Sequence, residues 1–319
     1  MHRILPLILY LFFVQQTNAQ QISIQVHDPV MMQQDSQYHI FCTGRGITEW
    51  LSLDLKNWVK QPPVFDTLPW AVDAVPGFKN YVWAPDIVLY NGKYYLYYSI
   101  SSFGKNTSCI GVATNTTLNR KNLNYHWQDA GKLICSKQGI DNFNAIDPNF
   151  ILDAKGQPWL AFGSFWKGIQ LVALNKDALS VKQPQQIINI AKRDKATMGN
   201  TALEAPFIYL KNGFYYLFVS ADLCCKGAES TYKILVGRSN QIAGPYLDKE
   251  GKQMLNGGGT LVQQGDGINW YAVGHNAVTV LDGKEYIVYH GYDIKDRGKS
   301  KLIMHQLFWS NEGWPIINE

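Results

Sequence analysis

Short runs of apolar and aromatic residues, broken every few positions by Gly, Asn or Asp, cover the chain after its first twenty residues. Runs of this kind, separated by turn residues, predict short β-strands that are joined by hairpins. No segment combines a 3.6-residue apolar period with convincing capping residues, so helices are expected to contribute little. The pattern therefore predicts an all-β protein.

One longer pattern recurs five times. In each copy an acidic or polar residue, beside Pro or Ala, is followed by a turn, usually at Gly, and by an aromatic strand that ends near Ser or Gly. The copies are marked by Asp28, Asp86, Asp147, Glu204 and His275, at intervals of 58, 61, 57 and 71 residues. All-β units at such a period predict a five-bladed β-propeller with four strands in each blade. A β-sandwich with accidental resemblances between segments is the alternative.

The repeated polar residues are expected to form a ring, because the first strand of each propeller blade starts near the central channel. Carboxylates that gather in one place repel one another, which makes such a cluster a candidate functional site. Two of them can serve as general acid and general base in glycoside hydrolysis, and a third can raise the proton affinity of the acid. The candidates are Asp28, Asp147 and Glu204. Asp86 follows its Pro rather than preceding it, so its carboxylate is offset, and we expect it to be structural or to support the residues that contact substrate.

The N-terminal residues predict export. A basic start, an apolar run over 4–14 and small residues before Ala19 are typical of a signal peptide at 1–19. The apolar run is too short to span a bilayer. We therefore expect a secreted or periplasmic protein with one catalytic domain over 20–319 and no membrane partner.

Charge and cysteine content limit the kinds of partner and site that the protein can have. Charged residues make up 17% of the chain, the net charge is +4, and the Lys and Arg residues are scattered. This excludes a nucleic-acid partner, which would call for a basic stripe. The five cysteines show no metal-ligand spacing, and their odd number leaves at least one free thiol. Cys224 and Cys225 are adjacent, and the sequence leaves open whether they form a vicinal disulfide or remain buried thiols.

Motifs along nearly the whole chain resemble glycoside hydrolase family 43, and within it the endo-α-1,5-L-arabinanases. Any one of them is unspecific, but together they are specific. They are HDP at 27–29, YVWAPD at 81–86, NAIDP at 144–148, GSFW at 163–166, LEAP at 203–206, CCKG at 224–227, STYK at 230–233, GGGT at 257–260 and GHNA at 274–277.

The resemblance implies hydrolysis of α-1,5-L-arabinofuranosidic bonds in arabinan by an inverting mechanism. Asp28 would be the general base that activates water, and Glu204 would be the general acid. Asp147 would orient Glu204 and raise its pKa. An inverting enzyme leaves room for water, so the carboxyls of Asp28 and Glu204 should be roughly 6.5–9.5 Å apart.

The resemblance also implies a substrate site and an ion. A calcium ion on the channel axis would contact His275 and otherwise be held mostly by water. The partner would be arabinan or arabino-oligosaccharides. Apart from the resemblance, we expect the protein to be a monomer. The positions that match arabinose subsites are Trp83, Phe103, Asn144, Ser164 and Tyr232.

Two other functions remain open from sequence. Relatives with the same acids remove single arabinose or xylose units from chain ends, so an exo-acting α-L-arabinofuranosidase or β-xylosidase is one alternative. The other is a carbohydrate-binding propeller that has lost catalysis.

Overall fold

The computed structural model describes residues 24–193, 195 and 200–317. The signal peptide predicted at 1–19 lies outside the described residues. Within them the chain forms five antiparallel sheets. No helix in this part of the chain is long and apolar enough to cross a membrane.

Each sheet is one blade, and its strands follow one another outward in chain order. The first blade contains β1 (Val30–Gln34), β2 (Gln37–Cys42), β4 (Thr48–Ser52) and β5 (Val59–Lys60), while β3 (Gly44–Arg45) pairs with the second blade. The second blade continues with β6 (Tyr81–Tyr90), β7 (Lys93–Ile100), β8 (Ser108–Asn115) and β9 (Gln128–Ser136).

The other three blades have four strands each. The third comprises β10 (Asn149–Leu152), β11 (Pro158–Phe162), β12 (Ile169–Ala173) and β13 (Ile188–Ala191). The fourth comprises β14 (Leu203–Lys211), β15 (Phe214–Ala221), β16 (Lys233–Ser239) and β17 (Thr260–Gln264). The fifth comprises β18 (Trp270–Leu281), β19 (Lys284–Asp293), β20 (Lys299–Trp309) and β21 (Pro315–Ile317).

The blades close into a ring. Their first strands contact one another in the order β1, β6, β10, β14 and β18, and β18 contacts β1 again. The segment before β1 fastens the closure, because Gln25 forms a β-bridge with Lys301 of β20 and Leu302 donates its N–H to the Ile24 carbonyl. The five-bladed propeller predicted from the repeat is confirmed.

The hairpin between the first two strands of three blades has the same two-residue turn. Asn91-Gly92, Asn212-Gly213 and Asp282-Gly283 all have positive φ at both positions. This is the type I′ turn, whose backbone twist matches that of the flanking strands and which favours Asn-Gly and Asp-Gly. Because the turn favours Asn-Gly and Asp-Gly, these pairs recur in the sequence and make the period of the repeat visible.

The apolar cores lie between successive blades. One cluster joins Tyr97 and Val112 of the second blade to Phe150, Leu160 and Phe162 of the third. Another joins the third blade to the fourth, and a further one joins the fourth to the fifth. Each blade therefore buries both faces against its neighbours, which holds the inner strands in fixed relative positions.

A short helix, α1 (Pro69–Ala74), and two 3₁₀ turns at Gly227–Glu229 and Met254–Asn256 are helical elements of the described chain. The helix begins after Leu68 with no side-chain cap. It therefore lacks the capping signal that would reveal it in the sequence.

The structure pairs four of the five cysteines. Cys109 and Cys135 face each other across β8 and β9 and form a disulfide. Cys224 and Cys225 form the vicinal disulfide that the sequence left open, and Cys42 is a buried free thiol.

Candidate active site

A left-handed backbone residue recurs at the start of every blade. The φ angles are 53° at Asp28, 42° at Ala84, 56° at Asp147, 53° at Ala205 and 54° at His275. Non-glycine residues seldom adopt this conformation, and it persists only where the surrounding structure enforces it. Such repeated strain at one end of the channel marks that end as the candidate site.

The backbone N–H of each of these residues donates a hydrogen bond to a side chain of the preceding blade. In four cases the acceptor sits at one repeated position, just past the end of the second strand or within it. The donor and acceptor pairs are Asp28 with His290 Nδ1 at 3.2 Å, Ala84 with Thr43 Oγ1 at 2.8 Å, Asp147 with Ser99 Oγ at 2.9 Å, and His275 with Ser220 Oγ at 2.8 Å.

The fifth pair differs because the repeated position in the third blade is Gly163. A Cβ there would lie 2.4 Å from the Gly168 carbonyl oxygen, so no side chain fits. The N–H of Ala205 instead donates to Asp147 Oδ2 at 3.1 Å. This bond fixes the Asp147 carboxyl beside the residue that follows Glu204.

The structure corrects the alignment of the repeat. Asp28, Asp147 and His275 are equivalent left-handed residues, but Glu204 comes one position earlier, before Ala205. A register shift between Glu204 and Phe207 spans Ala205, and corresponding shifts span Ala84 and His275, so the bulge belongs to the left-handed position and not to the Glu204 offset. Asp86 lies two residues beyond its blade's left-handed residue, Ala84, which agrees with the offset expected from its place after Pro85.

Asp86 connects two blades instead. Its Oδ2 accepts the N–H of Phe150 at 2.7 Å and the amide of Asn149 at 3.3 Å. Asn149 does the same one blade later, since its Oδ1 accepts the N–H of Ile208 at 2.8 Å. The structural role expected for Asp86 agrees with these contacts.

Asp86→Asn should change the pH dependence of stability. Burial raises the pKa of Asp86 to about 7, whereas an unfolded Asp titrates near 3.8. Between these values the unfolded chain releases a proton that the folded protein keeps, so wild-type stability falls as the pH rises through that window. Between pH 4 and 7, the free energy of unfolding of Asp86→Asn should therefore rise relative to that of wild type, by up to about 4 kcal/mol. Urea unfolding at several pH values measures this gain, and a difference that does not vary with pH would contradict it.

Asp28 is buried but surrounded by donors. His27 Nδ1 and His275 Nδ1 each lie 2.9 Å from its Oδ1, and Thr43 Oγ1 donates to its Oδ2 at 2.5 Å. Burial acts to raise the pKa of Asp28, but the two histidines outweigh burial and lower the pKa well below its usual range. A carboxylate offers about four lone pairs, so these three bonds leave one, on Oδ2.

Glu204 has the opposite electrostatic character. Ser164 Oγ donates to its Oε2 at 2.7 Å, and the Tyr232 hydroxyl donates to its Oε1 at 2.9 Å. Burial raises the pKa of Glu204 despite these two bonds. Burial also raises the pKa of Asp147, where the nearby charges of Glu204 and Asp28 act in the same direction and His275 opposes them.

An open cavity of about 1220 Å³ lies above these acids. Trp83, Phe103, Asn144 and Ser164, all predicted to contact substrate, lie on its wall together with Asp28, Asp147, Glu204 and His275. Phe103 projects from the β7–β8 loop and is 82% exposed. Tyr232 is buried and bonds to Glu204, so its position is beneath the wall.

Several residues of this site were missed in the sequence. Thr43, His290 and Tyr292 contact Asp28 or the side chains that hold it. Thr43 and His290 stand at the repeated position that is Ser in the second and fourth blades, which was the available signal. The sequence also gave no reason to select Trp50 and Lys60, which extend the cavity over the first blade.

His275 was predicted to contact a calcium ion. Its Nδ1 bonds to Asp28, while no described side chain hydrogen-bonds to its Nε2. The next residue, Asn276, is buried, and neither atom of its amide has a partner among the described residues. Calcium takes six to eight oxygen ligands, so an imidazole nitrogen and an amide oxygen fit only an ion that is held mainly by water.

A second group of possible ligand atoms, on His27, Asp28 and His290, lies within 4.8 Å. The Nε2 atoms of both histidines contact the Tyr292 hydroxyl, at 3.1 and 3.3 Å. These side chains satisfy one another by hydrogen bonds without an ion.

Known proteins resemble this chain over almost its full length. The extracellular exo-α-(1→5)-L-arabinofuranosidase ArbA of Cellvibrio japonicus is 45% identical, with 93% of this chain and 87% of that protein covered. The extracellular endo-α-(1→5)-L-arabinanase 1 of Bacillus subtilis is also 45% identical, with coverage of 91% and 87%.

Solved structures of other proteins are also similar to this chain over almost its full length. An exo-1,5-α-L-arabinanase from a bovine ruminal metagenomic library has a TM-score of 0.89 and 46% identity, with 95% of this chain and 99% of that chain covered. The Cellvibrio cellulosa α-L-arabinanase complexed with arabinohexaose has a TM-score of 0.88 and 45% identity, with coverage of 92% and 96%. Residues 21–315 match the family described as glycosyl hydrolases family 43, and the chain therefore belongs to that family.

Proposed function

We propose that this enzyme hydrolyses α-1,5-L-arabinofuranosidic bonds of arabinan with inversion at the anomeric carbon. The observation that carries the proposal is that one cavity holds two carboxyls in opposite surroundings. Asp28 is bonded by two histidines and Thr43, which lower its pKa, whereas Glu204 is buried between two hydroxyls and its pKa is raised. An ionised base and a protonated acid are then available at the same pH. The relatives named for α-(1→5)-L-arabinan supply the substrate class.

In the proposed reaction Asp28 accepts a proton from water, the water oxygen attacks the anomeric carbon, and Glu204 protonates the departing glycosidic oxygen. The three donors on the Asp28 carboxylate leave one lone pair on Oδ2 for that water. Asp147 orients Glu204 through its hydrogen bond to the N–H of the next residue, Ala205. Inversion also requires the carboxyl separation stated above, which remains a prediction.

Aromatic and polar side chains on the wall are suited to furanose rings. Trp83 and Phe103 present apolar faces for sugar C–H groups, and Trp166, 40% exposed, adds a third. The side-chain oxygen of Asn144, Oδ1, already accepts a hydrogen bond from the Ser108 hydroxyl at 2.7 Å. This bond orients the side-chain N–H₂ of Asn144 as the donor for a sugar hydroxyl. Tyr232 would act on substrate through Glu204.

The enzyme is proposed to be endo-acting. The cavity extends from the acids over the first blade at Trp50, Lys60 and Pro63, and over the third and fourth blades at Trp166 and Leu223. Space on both sides of the acids suits a chain that passes through the site. Relatives of equal identity carry endo and exo names, so cavity shape rather than similarity favours this mode.

Digestion of linear arabinan, followed by NMR and chromatography, tests the proposal. Endo action with inversion produces a mixture of short oligosaccharides early, with new reducing ends that first appear as the β-anomer. Arabinose or a single oligomer from the start would indicate exo action, and an α-anomer would contradict inversion. Binding without cleavage would support the carbohydrate-binding alternative.

Export, a monomeric state and calcium belong to the proposal as well. The extracellular names of two relatives and the leader-like 1–19 segment support export. A calcium ion would be held by His275 and by water, and would add positive charge near the acids. Size-exclusion chromatography tests the monomer, and calcium titration after chelation tests the ion.

Tyr232→Phe should move the alkaline limb of the kcat/KM profile to higher pH. The Tyr232 hydroxyl lowers the pKa of Glu204, so its loss raises that pKa and keeps the acid protonated at higher pH. A hydrogen bond to a charged group contributes about 1.5 kcal/mol, which corresponds to about one pH unit. Tyr97→Phe, which removes a buried hydroxyl bonded to the Ala178 carbonyl, is the control and should not move the limb. A shift to lower pH in Tyr232→Phe would refute this role.

A further inference from the structure

A chain of hydrogen bonds behind Asp28 is not used by the proposed reaction. It runs from the backbone of Cys225 to the Tyr292 hydroxyl at 2.7 Å, from there to His27 Nε2 at 3.1 Å, and from His27 Nδ1 to Asp28 at 2.9 Å. The rings of His27 and His290 stack at 4.0 Å, and His290 also contacts Tyr292. Both ends of this network contact the cavity, since Cys225 and Asp28 line it.

The backbone N–H of Asp28 is the starting point for assigning a donor and an acceptor to each hydrogen bond of this network. The N–H of Asp28 points to His290 Nδ1 at 3.2 Å, so that nitrogen must be the acceptor and carry no hydrogen. In neutral His290 the proton is then on Nε2, which donates to the Tyr292 hydroxyl at 3.3 Å. Burial lowers the pKa of His290 well below its usual value, which agrees with the neutral form.

The Tyr292 hydroxyl has one proton to donate. Its oxygen accepts from the Cys225 N–H and from His290 Nε2, and a hydroxyl oxygen has two acceptor positions. Its one O–H is then available to His27 Nε2 at 3.1 Å, with the neighbouring Ser230 hydroxyl as the competing acceptor. His27 then carries its proton on Nδ1, and this N–H donates to the Asp28 carboxylate.

We propose that Tyr292 is a positioning residue, which selects the His27 tautomer that donates to Asp28 and so aims the remaining Asp28 lone pair at the attacking water. The proposal rests on the proposed function, because it assumes that Asp28 is the base. The Cys224–Cys225 loop is part of the device, since it supplies the backbone N–H that turns the Tyr292 hydroxyl toward His27. Tyr292 does not line the cavity, so it acts on turnover and not on substrate binding.

Tyr292→Phe is the first test. Without the hydroxyl, His27 loses the donor that fixes its tautomer, and kcat on linear arabinan should fall about 10- to 100-fold, as expected for a misaligned reacting group. KM should stay within about twofold, because the lost contact is made to no part of the substrate. Tyr246→Phe is the matched control. It removes a buried hydroxyl, bonded to the Ile242 carbonyl in the fourth blade, and should leave kcat and KM unchanged.

A double-mutant cycle with His27→Asn is the second test. The Asn amide nitrogen can stand near the position of Nδ1 and donate to Asp28 without a tautomer to be selected. His27→Asn should retain measurable turnover, and adding Tyr292→Phe in that background should cost less than about threefold. Thermal unfolding of each variant, compared with Tyr246→Phe, separates a fall in kcat from a loss of folded protein.

Three results would overturn the proposal. These are wild-type kcat in folded Tyr292→Phe, an equal loss from Tyr292→Phe with His27 or Asn at position 27, or no turnover in folded His27→Asn. Failure of the proposed function looks different, because the wild-type enzyme itself would then leave arabinan uncleaved.

Discussion

Asp28→Asn is expected to lower kcat on linear arabinan by about 10²- to 10⁴-fold, the usual contribution of a general base. The amide cannot accept the proton of water at neutral pH. It also places an N–H₂ group where donors from His27, His275 and Thr43 converge. Initial rates by a reducing-sugar assay measure the loss, and calorimetry with arabinohexaose should show that binding is retained.

The repeat supplies a matched control. Asp86→Asn makes the same substitution in another buried Asp, and the next blade already uses Asn149 for the equivalent bond to a backbone N–H. It should leave kcat within about threefold of wild type, because Asp86 joins blades and does not line the cavity. If the two variants lost activity equally, the assignment of Asp28 as base would be wrong.

Glu204→Gln is expected to produce the other large loss, about 10²- to 10⁴-fold in kcat on arabinan. The Gln carbonyl oxygen can accept one of the two hydrogen bonds that Ser164 and Tyr232 donate to Glu204, while the amide N–H₂ faces the other hydroxyl. The amide has no acidic proton for the leaving oxygen. An arabino-oligosaccharide with a nitrophenol leaving group needs little protonation. On that substrate the variant should lose far less activity than on arabinan.

Glu285→Gln is the control for this substitution. Glu285 accepts from Lys211, Tyr209 and Trp309 at the hairpin end of the fifth blade, and it does not line the cavity. Glu285→Gln should change the free energy of unfolding and leave kcat on arabinan unchanged. An equal loss for Glu204→Gln on both kinds of substrate would show that Glu204 is not the general acid.

The position of Gly163 explains why Asp147 can influence Glu204. The other four blades use a side chain just past the second strand or within it to hold the next left-handed N–H. In the third blade there is no room for a side chain at Gly163, and Asp147 takes over the bond to Ala205. A packing requirement thus places a second carboxyl next to the proposed acid.

The architecture could be predicted from sequence because its signals are local. Asn91-Gly92 and Asn212-Gly213 select their turns by their own backbone preferences, and the aromatic strands beside them repeat at a regular interval. The exception is α1, which has no capping side chain and is six residues long. Local signals that are absent cannot be detected, even when the rest of the pattern is clear.

The alignment of the ring could not be predicted. The repeat suggested that Glu204 was equivalent to Asp28 and that Asp86 was offset, whereas the left-handed residues of these two blades are Ala205 and Ala84. A left-handed φ in a non-glycine residue has no signature of its own in the chain. It is imposed by an acceptor from the preceding blade, many residues away in sequence.

The sequence by itself determined that the chain repeats five times, that its strands form blades, and which acids stand at the blade entrances. Only the tertiary structure decided how those acids differ. Asp28 is held by His275 and, through His27, by Tyr292, which is 265 residues from His27 in sequence. Glu204 is buried between hydroxyls instead. The physical reason is that pKa and hydrogen-bond direction depend on burial and on neighbours in space, and ring closure brings these neighbours together from opposite ends of the chain.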